Sequence, residues 1–361
     1  MAYMAKLKDI RQKLTKQQFQ LLVFVVGFAA IGALLLIIGR AAGPYASVEP
    51  ESAQLSGVTT LSDTTASGGT YLKFGSGQSE LPPSGTYPAR GSVGFQGDTS
   101  TLKVINSTST APAGTSWNTT YNYLTVTGSN VTLNKVWVKG GVYVTGGGTI
   151  TIRDSIVEGG GSWFIFHMTS TAGRLDAENV TFRWKNGIIN EGTTGSGVIQ
   201  ITGNHDDTRI VRCDLSGNAD GIQMAGDRWV ITDNWIHDLA MVGTYPNNTH
   251  NDGIQMYNGT GHTIARNRIE IGAQAPYSNG AIFTQGSSIG SYAIRDNFLN
   301  GGGYTLHLQN GIAAVTGNVF GPNSLYGTHL IRAEASVSEW SGNCRGDTNG
   351  NKYEPCQVVN K

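Results

Sequence analysis

One phrase of six residues returns along most of this chain and limits what it can fold into. It reads ITDNWI at Ile231–Ile236, IARNRI at Ile264–Ile269, IRDNFL at Ile294–Leu299 and VTGNVF at Val315–Phe320. Upstream variants are IVRCDL at Ile210–Leu215, AENVTF at Ala177–Phe182, IRDSIV at Ile152–Val157 and LNKVWV at Leu133–Val138, and WSGN at Trp340–Asn343 is a partial last copy. Counted on the fourth position, the copies fall at Val136, Ser155, Val180, Cys213, Asn234, Asn267, Asn297, Asn318 and Asn343, with separations of 19, 25, 33, 21, 33, 30, 21 and 25 residues. Such uneven spacing excludes a horseshoe of fixed repeat and fits coils that carry loops of variable length. A short strand cannot bury its apolar face alone, so successive coils must stack in parallel, about 4.8 Å apart. An inward Asn at a bend can satisfy the backbone of its own coil and the Asn of the next. The expectation is an all-β chain folded as a right-handed, single-stranded parallel β-helix, a solenoid.

Composition narrows the function classes. Charged residues make up 14 % and the formal net charge is zero, which excludes nucleic-acid binding by neutralisation of a phosphate backbone. Gly supplies 50 of 361 residues, as many sharp bends require. Three cysteines are too few for a disulfide framework. Cys344 and Cys356 can staple a Gly/Asn-rich tail, and Cys213 falls in the bend row as a buried thiol.

The N-terminal region divides from the rest. Met1–Gln20 is a basic head, with Lys6, Lys8, Arg11, Lys13 and Lys16 against Asp9. Leu21–Gly39 is uncharged over nineteen residues, about 28 Å of helix, enough to span a bilayer. The Lys/Arg excess before it places the N-terminus in the cytoplasm and the body outside the cell, in contact with the lipid bilayer only through 21–39. A cleaved signal peptide ending near Ala41-Ala42-Gly43 is the competing reading. Residues 40–91, rich in Ser, Thr, Gly and Pro, form a linker or cap, the coils occupy 92–343, and 344–361 is the stapled tail.

Two resemblances follow from quoted residues. The Asn row, with a second row of Asn186-Gly187-Ile188, Asp220-Gly221-Ile222, Asp252-Gly253-Ile254 and Asn279-Gly280-Ala281, resembles the parallel β-helix proteins of the pectate-lyase-like superfamily over roughly 92–340. That superfamily contains lyases, hydrolases, epimerases, tailspikes and inactive members, so the resemblance implies fold more than chemistry. Val48–Phe74 resembles the opening strands of a β-sandwich carbohydrate-binding module, though the rest of such a module is missing.

Candidate chemistry concentrates on the longest coils. ADGIQM at Ala219–Met224 and NDGIQM at Asn251–Met256 put Asp220 beside Asp252 and Gln223 beside Gln255 if their coils are neighbours. With Ile and Met inward, both Gln side chains and both carboxylates are expected to face out. Two such carboxylates could share a proton or hold Ca²⁺, whereas the plainer reading is that Asx–Gly only makes the turn. His237 and His250 flank a projecting loop as acid/base candidates, and Arg266 is a candidate substrate clamp or lyase base. Tyr245, Tyr257 and Tyr277 could stack on sugar rings. His262 and His307 read as surface positions. The polygalacturonase pattern is only approximated, by Asp206-Asp207, Gly261-His262-Thr263 and Arg266-Asn267-Arg268. The expected ligand is a polysaccharide or cell-surface glycan, acidic if the chain is a lyase or hydrolase. The alternative is a solenoid that binds glycan without turnover or serves as a surface spacer.

Overall fold

The computed structural model describes residues 58–62, 70–74, 86–160, 162–169, 172–187, 196–244, 247–272 and 278–361. It divides into two units, Met1–Leu81 and Pro82–Lys361. In the first, Val58–Ser62 pairs antiparallel with Thr70–Phe74, so the stretch likened to a carbohydrate-binding module contains one hairpin. The proposed membrane span at 21–39 lies outside the described residues, among which no helix is long and apolar enough to cross a membrane.

The second unit is a stack of coils. Each coil sends one strand to a ten-stranded sheet, ordered in space from Thr115–Asn118 through Tyr123–Val126, Gly141–Val144, Phe166–Met168, Gly197–Ile201, Asp220–Met224, Asn251–Gly259, Ser278–Ile289 and Tyr304–Leu308 to Gly327–Ile331. All its pairings are parallel except the first, where Thr115–Asn118 folds back on Tyr123–Val126. The rest of each coil forms a second parallel sheet with two faces, hinged at the phrase identified above. In one coil, Val230–Thr232 lies before the hinge and Trp235–His237 after it, and they pair in register with His262–Ala265 and Arg268–Glu270 of the next. Thr149–Gly159 and Arg174–Trp184 run through the hinge without a break.

Alternation fills the interior. Ile152, Ala177, Ile210, Ile231, Ile264, Ile294 and Val315 stand in one row, each fully buried and each opposite its counterpart in the adjoining coil. At the hinge the buried Asn side chains form a continuous ladder. Asn234 Nδ2 donates to Asn267 Oδ1 at 2.9 Å, Asn267 to Asn297 at 3.0 Å, Asn297 to Asn318 at 2.9 Å and Asn318 to Asn343 at 3.0 Å. Each Oδ1 also accepts the backbone N–H of the preceding Asn, and each Nδ2 donates to a carbonyl of the preceding coil, such as Ile231 O for Asn267. Ser155 plays the same part with a single hydroxyl, accepting Val136 N at 3.1 Å and donating to Arg153 O. Cys213 occupies the row as a free, fully buried thiol.

The sequence reading missed the row beside this ladder. The residue before each hinge position has positive φ, from +45° at Asp154 to +61° at Asp233, through Lys135, Asn179, Arg212, Arg266 and Asp296, with Gly317 and Gly342 completing it. A left-handed non-Gly residue costs roughly 1–2 kcal/mol. Side-chain bonds between coils offset part of that cost: Asn179 Nδ2 donates to Asp154, Arg212 Nε to Asn179, and Arg266 Nε and Nη2 to Asp233 at 2.8 and 2.7 Å.

The chain enters this unit along the outside. Tyr87 packs on Phe298 and donates to Gly350 O, Arg268 donates to Pro88 O, and Arg90 pairs with Glu270. Further along, Gly94 N donates to Arg212 O and Phe95 N to Thr181 Oγ1. Residues 87–95 therefore form a strap over the face that follows the hinge, running from late coils back to early ones. The Cys344–Cys356 disulfide closes the tail against whose loop the strap begins.

Candidate functional site

The two DGIQM strands are neighbours, with Ile222, Gln223 and Met224 opposite Ile254, Gln255 and Met256. Ile and Met point into the core, and the Gln side chains lie on the opposite face of the ten-stranded sheet, where they are only 4 % and 8 % exposed. The outward carboxylates expected beside them are not there. Asp220 is 2 % exposed and Asp252 fully buried. Each is used by the coil stack: Asp220 Oδ1 accepts Asp252 N at 2.8 Å, and Asp252 Oδ1 accepts Gly280 N at 3.1 Å. Asp220 Oδ2 also accepts Gln223 Nε2 at 2.7 Å. Each Asp lies two residues before an inward Ile, so strand alternation itself assigns it to the buried side, and the strand runs on through Asp–Gly instead of turning there. Glycine follows each Asp because a Cβ on Gly253 would overlap Ile269 and the Ala281 carbonyl.

This arrangement does not fit calcium. A Ca²⁺ ion takes six to eight oxygens, whereas the Asp220 carboxylate faces N–H donors on both oxygens. Among the described residues no group of three or more His, Cys, Asp or Glu could hold a metal ion. Burial pushes the Asp220 carboxyl up to about 7 despite those donors. Burial likewise raises the Tyr257 phenol to about 12, with Asp220 and Asp252 adding to the shift, so this ring belongs to the same cluster. Tyr257 donates to Gln255 Oε1 at 2.6 Å, and Gln255 Nε2 donates to Gln285 Oε1 at 2.7 Å.

Around this centre runs a row that single motifs did not reveal. Successive coils place Tyr143, His167, Gln200, Gln223, Gln255, Phe283 and His307 opposite one another on the outer face. At the early end the row is aromatic: Tyr121 stacks on Tyr123 at 6.3 Å, and Tyr143, Trp163, Phe164 and His167 pack on one another with centroids 5.0 to 5.8 Å apart. Tyr121 is 56 % and Trp163 38 % exposed. At the late end Phe283 lies 4.8 Å from His307, and Tyr304 links His307 to Tyr326, which is 64 % exposed. Burial lowers the pKa of His167 and His307, the latter with help from Arg332, so both rings are neutral near pH 7. His167 Nδ1, Gln200 Oε1 and His307 Nε2 are buried without a hydrogen-bond partner. None of the ten strands contains Lys, Arg or Glu, and Asp220 and Asp252 are their only acids. The signal was present in the sequence, as aromatic or amide residues at alternate positions of uncharged strands.

Other expected site residues lie elsewhere. His237 sits on the second sheet, stacked on Trp235 at 3.4 Å, with Nε2 bonded to Asp214 and Nδ1 to Asp238, both at 2.8 Å. Burial would lower its pKa, but these two carboxylates outweigh burial and raise it. It lines an open cleft of about 320 Å³ with Arg90, Trp235 and Glu270, away from the Gln row. Arg266 is at the hinge, one corner of the coil away from Asp252, and its guanidinium is held by Asp233. His250 is exposed just ahead of Asp252. Tyr245 and Tyr277 fall outside the described residues. His262 and His307, read as surface positions, are 1 % and 9 % exposed.

No family model matches this chain, and neither a curated protein nor a solved structure does. The resemblance to pectate-lyase-like proteins rests on the coil phrase and its Asn row.

Proposed function

We propose that this chain is a membrane-anchored, extracellular parallel β-helix of right-handed coil that binds a neutral glycan on the outer face of its ten-stranded sheet. One observation carries the reading: a row of Tyr, His and Gln side chains crosses strands that lack Lys, Arg and Glu. Amides donate to and accept from sugar hydroxyls, and aromatic rings take the apolar faces of sugar rings. An acidic glycan would need cations along this face, and the ten strands supply none; Arg332, the residue after Gly327–Ile331, reaches His307 at the late end. The right-handed coil follows from the general preference of parallel crossovers. The anchor follows from the basic head and the apolar run at 21–39.

A second reading is favoured by Asp220, which holds a proton near neutral pH beside Tyr257 and Gln223 and could serve as a general acid. Its burial and its bond to Asp252 N argue for the structural role instead.

The test is incubation of the purified body with neutral and uronate-containing glycans, scoring retention and products separately. Retention of neutral glycans without new reducing ends, unchanged in Asp220→Asn, supports the binding reading. New reducing ends that vanish in that variant would transfer the assignment to a hydrolase, and ultraviolet-absorbing unsaturated products to a lyase. Failure to retain any glycan would refute both.

A further inference from the structure

We propose that His237 and Asp238 form a proton-operated latch on the second sheet: a doubly protonated His237 holds Asp238 as the wall between two clefts, and loss of one proton releases Asp238 and joins them. The latch lies on the other sheet from the Gln row and does not depend on glycan binding. Both ring nitrogens of His237 face carboxylate oxygens at 2.8 Å, Nε2 that of Asp214 and Nδ1 that of Asp238. A carboxylate only accepts, and a neutral imidazole has one N–H, so both bonds exist together only in the imidazolium. The ring cannot move to relieve the loss of a proton. It lies flat on Trp235, with centroids 3.4 Å and planes 13° apart, and Trp235 is pinned in turn by its Nε1 bond to Glu270.

The two carboxylates differ in freedom. The Asp214 side chain is 19 % exposed and lies under the strap, where a Cβ on Gly94 would overlap it. The Asp238 side chain is 81 % exposed and can turn into water. Stripping the donor from the confined carboxylate costs more than stripping it from the exposed one. The proton that leaves is therefore the one on Nδ1, and the lone pair left there faces the Asp238 carboxylate and repels it. The other charges around the ring are already engaged. From the next coil Glu270 stands opposite His237 and Arg268 opposite Trp235. Glu270 takes Arg90 of the strap, Arg268 and the Trp235 indole, while the preceding coil sets uncharged Ser216 opposite His237. Burial opposes the imidazolium, and Asp214 and Asp238 outweigh burial, so the latch opens at a higher pH than an ordinary histidine titrates.

Asp238 decides how the clefts connect. One, of about 630 Å³, is lined by Arg183, Trp184, Lys185 and Ser216, and the other, of about 320 Å³, by Arg90, Trp235, His237 and Glu270; Asp238 lines both. With Asp238 turned away they are continuous, with the cations Arg183 and Lys185 at one end and the Arg90–Glu270 pair at the other. Between them Nδ1 of His237 becomes a free acceptor.

The experiment is nitrogen-15 and carbon-13 NMR of the full chain labelled only in histidine and titrated across the histidine range, with His237→Gln to assign the signal. Nitrogen shifts report which ring nitrogen loses its proton, and the parent titration alone decides this. The expected result is loss from Nδ1, with Nε2 still protonated. Asp238→Asn removes the charge and keeps a residue that tolerates the left-handed φ of +44°. It should lower the proton affinity of His237 on the order of tenfold. Its amide can accept from a protonated Nδ1 or donate to a neutral one, so the wall should stay closed in either state. Hydrogen exchange at Gly217, whose N–H donates to Asp238 O, reads the wall. Corrected for intrinsic pH dependence, protection there should fall severalfold through the titration in the parent and hold in Asp238→Asn. Loss of the proton from Nε2, or a proton affinity unchanged in Asp238→Asn, would overturn the latch. Gly217 protection that ignores the His237 titration would leave Asp238 in place and refute the joining of the clefts.

Discussion

The Asn ladder allows a prediction whose size follows from counted bonds. Replacing Asn267 by Leu removes an Oδ1 that accepts Asn234 N at 3.0 Å and Asn234 Nδ2 at 2.9 Å, and an Nδ2 that donates to Ile231 O at 2.9 Å. Asn234 N and one of the two Asn234 Nδ2 hydrogens are then left without an acceptor in a fully buried site, the other Nδ2 hydrogen keeping Ile210 O. At about 1–3 kcal/mol for each unsatisfied buried group, the two donors cost roughly 2–6 kcal/mol. That is a large part of the ~5–15 kcal/mol that holds a typical domain together. Asn267→Ser should lose about half as much, because a hydroxyl in this row can accept one backbone N–H, as Ser155 does from Val136. Gln255→Leu is the control: it breaks bonds to Gln285 and Tyr257, whose polar groups can turn to water, and should cost under about 1 kcal/mol. Urea unfolding of the three variants at one pH, with hydrogen exchange at the Asn234 amide, measures the order. Equal midpoints for Asn267→Leu and Gln255→Leu, or an Asn234 amide that stays protected, would show that the ladder does not bear the bend.

Three further outcomes are expected. Because the folded-state pKa of Asp220 lies above its unfolded value, the group stabilises the fold at pH below about 4 and that contribution is lost as pH rises toward and through 7; Asp220→Asn should therefore flatten the fall in urea midpoint over that window, and parallel curves for parent and variant would contradict the assignment. Replacing Cys344 and Cys356 together by Ser opens a loop with sequence separation 12, costs about 3 kcal/mol by chain entropy, and should raise hydrogen exchange at Tyr87 and Arg90, whose partners lie in that loop; unchanged exchange there would separate the tail from the strap. Protease added to intact cells should release the coil body and leave the basic head with its apolar run in the membrane, whereas a mature chain beginning near Gly43 would reject the anchor.

The hinge was legible because it repeats: an Asn between fixed aliphatic positions has few structural meanings, and five consecutive copies state it plainly. The neighbouring row of positive φ was harder to see. Asp, Asn and Gly favour that conformation, but Lys135, Arg212 and Arg266 occupy it too and hide the trend. Alternation placed Ile222, Gln223 and Met224 correctly, and carried back through Asp–Gly it sets Asp220 and Asp252 on the buried side with Ile222 and Ile254; the outward reading comes from taking Asp–Gly as a bend where the strand in fact continues. The aromatic cluster at the early end of the row was missed for a different reason. Tyr123, Tyr143 and His167 come from separate coils, and their meeting depends on where each coil turns, which loop length alone does not set.

The strap also acts as a ruler. Thr181, Asp214, Trp235, Arg268 and Phe298 are successive rungs, so the strap's contacts at Phe95 and Tyr87 sit four steps apart. Four steps are about 19 Å, and the eight residue-to-residue steps from Tyr87 to Phe95 can reach at most about 28 Å. One additional coil between those rungs would consume most of the slack, and a second would exceed it. Coils can be gained or lost by duplication before Thr181 or after Phe298, but within that interval their number is fixed by a segment that belongs to none of them.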